Sequence, residues 1–209
     1  DQVAFGLLRL GSGPAYKTAR AEAAVTPYYE RRWYGTHKYS REVGVRAEWQ
    51  YWLTPRHKIL SALEIGEQRH DRRRWLDGGQ YTASATWLFA RRPDQYFSFG
   101  ADGARKQAED DAESYTRQGL RFGWTQQWPS GLATSAHIGI GRRRYHAADW
   151  FGILRRDREF SASVSVSHRK IQFAGITPQI VGVWQRVRSN HFFYPYRKGN
   201  VFIQFGRTF

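Results

Sequence analysis

Period two dominates the chain. From Glu42 to Leu53, Val43, Val45, Ala47, Trp49, Tyr51 and Leu53 take alternate positions, with Glu42, Gly44, Arg46, Glu48, Gln50 and Trp52 between them. Successive side chains of a strand point to opposite faces, so this segment predicts a strand with one apolar and one mainly polar face. Phe160, Ala162, Val164 and Val166 alternate with Ser161, Ser163, Ser165 and Ser167. Tyr81, Ala83, Ala85, Trp87 and Phe89 alternate with Thr82, Ser84, Thr86 and Leu88. Leu120, Phe122 and Trp124 share one parity, as do Leu132, Ala136, Ile138 and Ile140. Helical periodicity is not sustained anywhere. The pattern predicts about eleven strands in an antiparallel meander. They cover residues 2–10, 16–34, 37–53, 57–69, 79–91, 95–106, 114–128, 131–144, 157–169, 173–188 and 199–209. The segment 173–188 offers two competing faces, through Ile180 and Val181.

The connections fall into two classes. Thr54-Pro55-Arg56, Arg92-Pro93-Asp94, Pro129-Ser130-Gly131 and the Arg169-Lys170 region read as tight turns, built on the restricted φ of Pro and the freedom of Gly. The alternate connections, near 70–78, 107–113, 145–157 and 189–198, are longer and mostly charged. Short turns at one rim and long loops at the other is the layout of a transmembrane antiparallel up-and-down β-barrel. With the last strand running into the periplasm, counting back from Phe209 puts all four tight turns on the periplasmic side. Trp49, Tyr51, Trp87, Phe89, Trp124, Trp128 and Phe209 then lie at the downward ends of strands. Amphipathic rings favour such an interfacial girdle.

Composition refines this picture. Mean hydropathy is −0.70 over 209 residues, and no apolar run approaches the ~20 residues of a transmembrane helix. A barrel wall tolerates such a value because only every second residue meets lipid. The chain has no Cys, which removes disulfide and thiol chemistry, and no Met, even at position 1. It is therefore expected to start at a processed or cut end, with any signal peptide outside the span. No low-complexity linker divides it, so residues 1–209 read as one outer-membrane barrel domain.

The C-terminal end carries the most specific motifs. Val201, Ile203, Phe205 and the terminal Phe209 share one parity, which resembles the assembly signal by which barrel assembly machinery recognises outer-membrane barrels; Arg207 interrupts it. Arg155-Arg156-Asp157, the run Ile171 to Pro178 containing Gly175, Arg188-Ser189-Asn190, and Tyr194-Pro195-Tyr196 followed by Asn200-Val201-Phe202 occur in that order. This set resembles the barrel domain of the surface lipoprotein assembly modulators, the Slam family. It covers about a quarter of the chain; upstream only the hairpin rhythm is similar. The resemblance singles out Arg155, Asp157, Gly175, Pro178, Ser189, Asn190 and Tyr196. It implies a bacterial outer-membrane translocator that helps lipoproteins, or related secreted proteins, reach the surface, through or beside a fourteen-stranded barrel that follows a periplasmic helical-repeat domain. Upstream strands and that domain are expected to lie outside this span. A generic porin or receptor barrel is the alternative.

The charge balance is +15. Arg72-Arg73-Arg74, Arg142-Arg143-Arg144 and Arg155, Arg156 and Arg158 fall at the extracellular rim in this topology. Arginine binds phosphate bidentately, so Arg72, Arg73, Arg74, Arg142, Arg143 and Arg144 are candidate lipopolysaccharide contacts, set against solvated loop charges. Arg20, Arg46, Arg117 and Arg121 are expected in the lumen, with Glu22, Glu42, Glu48 and Glu64 available to pair. A nucleic-acid-binding protein, built on arginines interleaved with aromatics, is a further alternative, but the clusters recur in one class of loop instead of on one strand face. Hence the partners expected are outer-membrane lipid and lipopolysaccharide, barrel assembly machinery and an exported protein, with no nucleic acid. The seven histidines have no zinc spacing. Glu109, Asp110, Asp111 and Glu113 read as a solvated loop, set against a cation site, and Ser135 with His137 has no activating third member. Neither a cofactor nor a catalytic residue is expected.

Overall fold

A computed structural model describes residues 5–171 and 176–207. The strands are β1 (Phe5–Gly11), β2 (Ala15–Lys17), β3 (Ala21–Tyr34), β4 (His37–Thr54), β5 (His57–His70), β6 (Gly78–Arg92), β7 (Gln95–Ala108), β8 (Tyr115–Gln127), β9 (Leu132–Tyr145), β10 (Arg156–His168), β11 (Ile176–Ser189) and β12 (Tyr196–Arg207). Two single-turn 3₁₀ segments, Arg74–Leu76 and Asp111–Glu113, sit in connections. The sheet order is β1-β3-β4-β5-β6-β7-β8-β9-β10-β11-β12, with β2 paired to β3. Every pairing is antiparallel. Among the described residues, β1 and β12 are the two edges, and no pairing joins them.

The expected first two strands need correction. Gly11 faces Tyr28 in one pairing and Ala15 faces Ala24 in the other, so β1 and β2 are one interrupted strand in a single register along β3. The Gly-Ser-Gly-Pro run between the two expected strands is the interruption. Pro14 brings no N–H to the ladder, but its carbonyl still accepts from Val25 N–H at 3.1 Å. Gly13 passes so close to β3 that a Cβ would stand 1.9 Å from the Val25 carbonyl oxygen. The chain reverses later, where Thr18 N–H donates to Ala21 O at 2.7 Å and Ala21 N–H donates to Thr18 Oγ1 at 2.9 Å. Residues 16–34 are therefore a hairpin, not a single strand.

Elsewhere the strands start and stop within a few residues of the expected positions. Turns after Thr54, Arg92 and Gln127 lie at one rim together with the connection from β10 to β11. Connections 71–77, 109–114, 146–155 and 190–195 lie at the other. That second rim also holds one tight turn, Gly35-Thr36, where Gly35 takes φ 61°, a left-handed conformation that glycine adopts without steric cost.

The two faces differ as alternation requires. Val43, Leu63, Ile65, Leu120, Ile138, Ile140, Val164, Ile180, Val201 and Ile203 are all exposed on one side. The buried side chains are mostly polar, among them Glu30, Glu42, Gln68, Asp157 and Ser165. Apolar outside and polar inside inverts a water-soluble protein and suits a lipid-facing wall. Register resolves the competing faces of β11. Ile180 sits between Val166 and Ile203 on the apolar face, and Gln179 turns inward to donate to Ser165 Oγ at 2.7 Å. Near the tight-turn rim, stacked rings run across β5 to β8: His57–Trp87 at 5.5 Å, Trp87–Phe99 at 5.5 Å and Phe97–Phe122 at 6.3 Å. Trp49 stacks on Tyr51 at 5.7 Å. Phe209, the last member of the expected girdle, lies outside the described residues.

Candidate functional site

The polar face is concave. Arg9 on β1 donates to Glu64 on β5 at 2.9 Å, although β3 and β4 lie between them. On a flat sheet their backbones would stand about 14 Å apart; curvature brings the charged heads together. Around this pair, Tyr28 Oη donates to Glu42 Oε1 at 2.6 Å and lies 3.1 Å from Glu64 Oε1. Its ring passes over Gly44 and Gly66, where a Cβ would stand 2.6 Å from Tyr28 Oη. Arg46 reaches both Glu64 at 3.1 Å and Glu48 at 2.8 Å. Arg9 also stacks on the Tyr28 ring at 3.8 Å. The buried Glu42 and half-buried Glu64 carboxylates thus each have a hydrogen-bonding partner.

A second network spans β7 to β10. Arg117 bonds to Asp102 and, at 2.6 Å, to Glu159. Arg121 lies 3.2 Å from Asp102, and Arg143 lies 2.7 Å from Glu159. Together with Tyr196, these residues line one cavity on the concave face. The expected inward position of Arg46, Arg117 and Arg121 matches this geometry, and Glu22 bonds Gln50. Arg20 does not follow: it is exposed in the turn before β3, where Ala21 begins the strand. Arg9, Tyr28, Asp102 and Glu159 were missed as site residues. Their inward parity was readable, as was a glycine at the position facing Tyr28.

Four of the residues singled out by the motifs, Arg155, Asp157, Ser189 and Asn190, converge at the long-loop rim. Arg155 grips Asp157 through two bonds of 3.1 and 2.7 Å, while its guanidinium stacks on Tyr145 at 4.5 Å and Tyr194 at 3.4 Å. Asn190 bridges two loops, accepting from Arg156 N–H at 2.7 Å and donating to Leu154 O at 3.0 Å. Ser189 Oγ accepts from His191 N–H at 3.1 Å, and His191 Nε2 lies 2.8 Å from Asp149 Oδ2. Segments distant in sequence thus form one clasp between connections 146–155 and 190–195. Pro178 pairs with Phe205 near the opposite end of β11, away from this clasp. Gly175 lies outside the described residues.

Val201, Ile203 and Phe205 line one exposed face of β12. Arg72, Arg73 and Arg74 are exposed in connection 71–77. Arg142 and Arg144 are exposed on the outer face, whereas Arg143 turns inward to Glu159 and Tyr115, as strand alternation demands. The expected trio is therefore two outward cations and one inward. Asp110 caps the short turn in the acidic loop by accepting from Ala112 N–H at 2.9 Å. Ser135 bonds Ser165 at 2.5 Å and is placed as a wall residue.

An antiparallel sheet with an apolar outer face and a charged concave face is the wall of a membrane-spanning β-barrel, here of the bacterial outer membrane. The family model described as surface lipoprotein assembly modifier matches residues 4–209, and the chain belongs to that family. It is 36% identical to surface lipoprotein assembly modifier 1 of Haemophilus influenzae, over 96% of this chain and 44% of that protein. It is 25% identical to the hemophilin secretion modulator of Acinetobacter baumannii, over 97% of this chain and 41% of that protein. The chain thus spans less than half the length of these relatives. Among solved structures, the unliganded ferric citrate transporter FecA aligns with a TM-score of 0.49 and 10% identity, over 96% of this chain and 37% of that one.

Proposed function

We propose that this chain is the membrane section of a translocator that assists surface lipoproteins, or related secreted proteins, across the outer membrane. The observation that carries the reading is the concave charged face, where cations and carboxylates from six strand positions pair across the curve of the wall. Such a surface is wetted and offers a passing polypeptide exchangeable hydrogen bonds without a deep apolar trap. The names of its relatives, assembly modifier and secretion modulator, support the same direction. On this reading the chain guides its substrate without a covalent step.

The test co-expresses the whole gene with candidate lipoproteins encoded beside it and measures protease-accessible substrate on intact cells. Deleting the gene should abolish display. Changing Ser189 and Asn190 to alanine should reduce display while barrel abundance is held constant, because the clasp is lost and the wall is not. Deleting Phe209 should lower barrel abundance, with display falling only in proportion. Unchanged display without the gene overturns the proposal in favour of a general porin or receptor.

A further inference from the structure

The outer face carries a second arrangement that concave-face pairing does not explain. At the long-loop end of β9 to β12, strand register sets arginines directly beside one another. Arg144 faces Arg156; Arg142 faces Arg158, which faces Arg188; and Arg186 faces Arg197. All of these are exposed on the face that also presents Ile138, Ile140 and Val201. Like charges opposite one another on a sheet are destabilising. Among the described residues, no carboxylate lies within 4.0 Å of any of these seven cations, because every pair that is formed involves other groups.

The same sheet supplies the contrast. On the outer face of β3 to β5, Arg31, Arg41 and Arg69 are likewise in register. There Arg31 lies 3.1 Å from Asp71 and Arg69 lies 2.8 Å from Glu67. Two of the three cations in this row are paired within the chain, and none of the seven in the larger one is.

Depth identifies what balances it. The patch ends abruptly against apolar rows: Phe160 faces both Ile140 and Arg186, and Trp184 faces Ala162. Arg188 and Arg197 lie over the rings of Phe160 and Trp184 at 5.9 and 5.8 Å. The cations therefore stand where acyl chains meet headgroups, in the leaflet on the long-loop side. An anion attached to an acyl chain, presenting several charges in one headgroup, fits that position. Guanidinium forks match phosphate oxygens bidentately.

We propose that the outer ends of β9 to β12 form a binding site for the phosphates of lipid A, the bisphosphorylated anchor of lipopolysaccharide. The site lies on the lipid side of the wall and is independent of the translocation reading. The experiment titrates detergent-solubilised full-length protein with bisphosphorylated lipid A, with phosphatidylglycerol and with inorganic pyrophosphate. Lipid A should bind at least about tenfold tighter than either of the others, with affinity falling as salt rises. Arg186→Gln/Arg188→Gln/Arg197→Gln should weaken lipid A binding by at least about tenfold, a difference of ~1.4 kcal/mol. Arg31→Gln/Arg69→Gln should leave it within about twofold of wild type, since both of those cations have partners in the chain. Heat-modifiable migration checks that each variant is folded, and Arg142→Gln/Arg158→Gln gives a second reading with the β11 and β12 cations intact. Wild-type affinity in either folded β9–β12 variant overturns the site. Equal affinity for phosphatidylglycerol would reduce it to a general anionic surface, and equal affinity for pyrophosphate would assign it to a free phosphate; either result overturns the proposal.

Discussion

Placing arginine on the outer face at Val164 tests the membrane topology directly. Val164 is 54% exposed, and its in-register neighbours are Ala136 and Gly182, with Val201 on the next strand. None of these offers a hydrogen-bonding side chain. The nearest outward cation along β10 is Arg158, six positions away, which is about 20 Å of strand and, at ~45° tilt, roughly 14 Å of depth. An arginine at 164 is thus held near the bilayer midplane, where the lipid-face cost is ~2 to 4 kcal/mol. That corresponds to a shift of about thirtyfold to several-hundredfold in the folding equilibrium. The matched control is Ser161→Arg, which points inward beside Asp102 and Glu159 in the concave cavity and gains carboxylate neighbours. Ser165, the adjacent inward position, is a poorer control because it is buried and bonded to Ser135 and Gln179. Both variants are refolded into lipid vesicles, and stability is read from the guanidine midpoint of heat-modifiable migration. Val164→Arg should lose the stated amount and Ser161→Arg clearly less. Equal losses would refute the assignment of faces on β10, and a greater loss for Ser161→Arg would invert it.

Tyr28→Phe removes the hydroxyl that serves Glu42 and Glu64; it should cost about 1 to 3 kcal/mol, read from the same titration, and an unchanged midpoint would deny the network a structural role. Gly44→Ala forces a Cβ to 2.5 Å from the Ile65 carbonyl oxygen and should destabilise by about 1 to 3 kcal/mol; a stability gain would show that the Tyr28 ring does not occupy this slot. Asp157→Asn deprives Arg155 of its charged partner, an interaction of about 1.5 to 3 kcal/mol, so connection 146–155 should be cleaved faster by added protease while the wall stays intact. Cleavage at the wild-type rate would mean that the clasp does not hold that loop.

Alternation of residue type determined which positions form strands and which residues share a face, because a period of two is a local property of extended backbone. Val164 outward and Ser165 inward, like Arg142 and Arg144 outward with Arg143 inward, follow from parity alone. The rims were legible for a similar reason, since Pro and Gly at Pro55, Pro93 and Gly131 restrict φ or release it whatever the rest of the chain does. Local signals failed where two local options were equally good. The Gly11–Pro14 run has turn composition, yet β3 holds it as an interrupted strand, because continuing one register along a partner satisfies more backbone groups than reversing there. Ile180 and Val181 could each face lipid, and only pairing with Val166 and Ile203 chose between them. The partnerships of the concave face were hidden most completely. Arg9 meets Glu64 across two intervening strands, and Arg117 joins Asp102 to Glu159 across β7 to β10. These contacts depend on the curvature of the whole sheet, which is a sum of twists over many strands and is carried by no single segment of sequence.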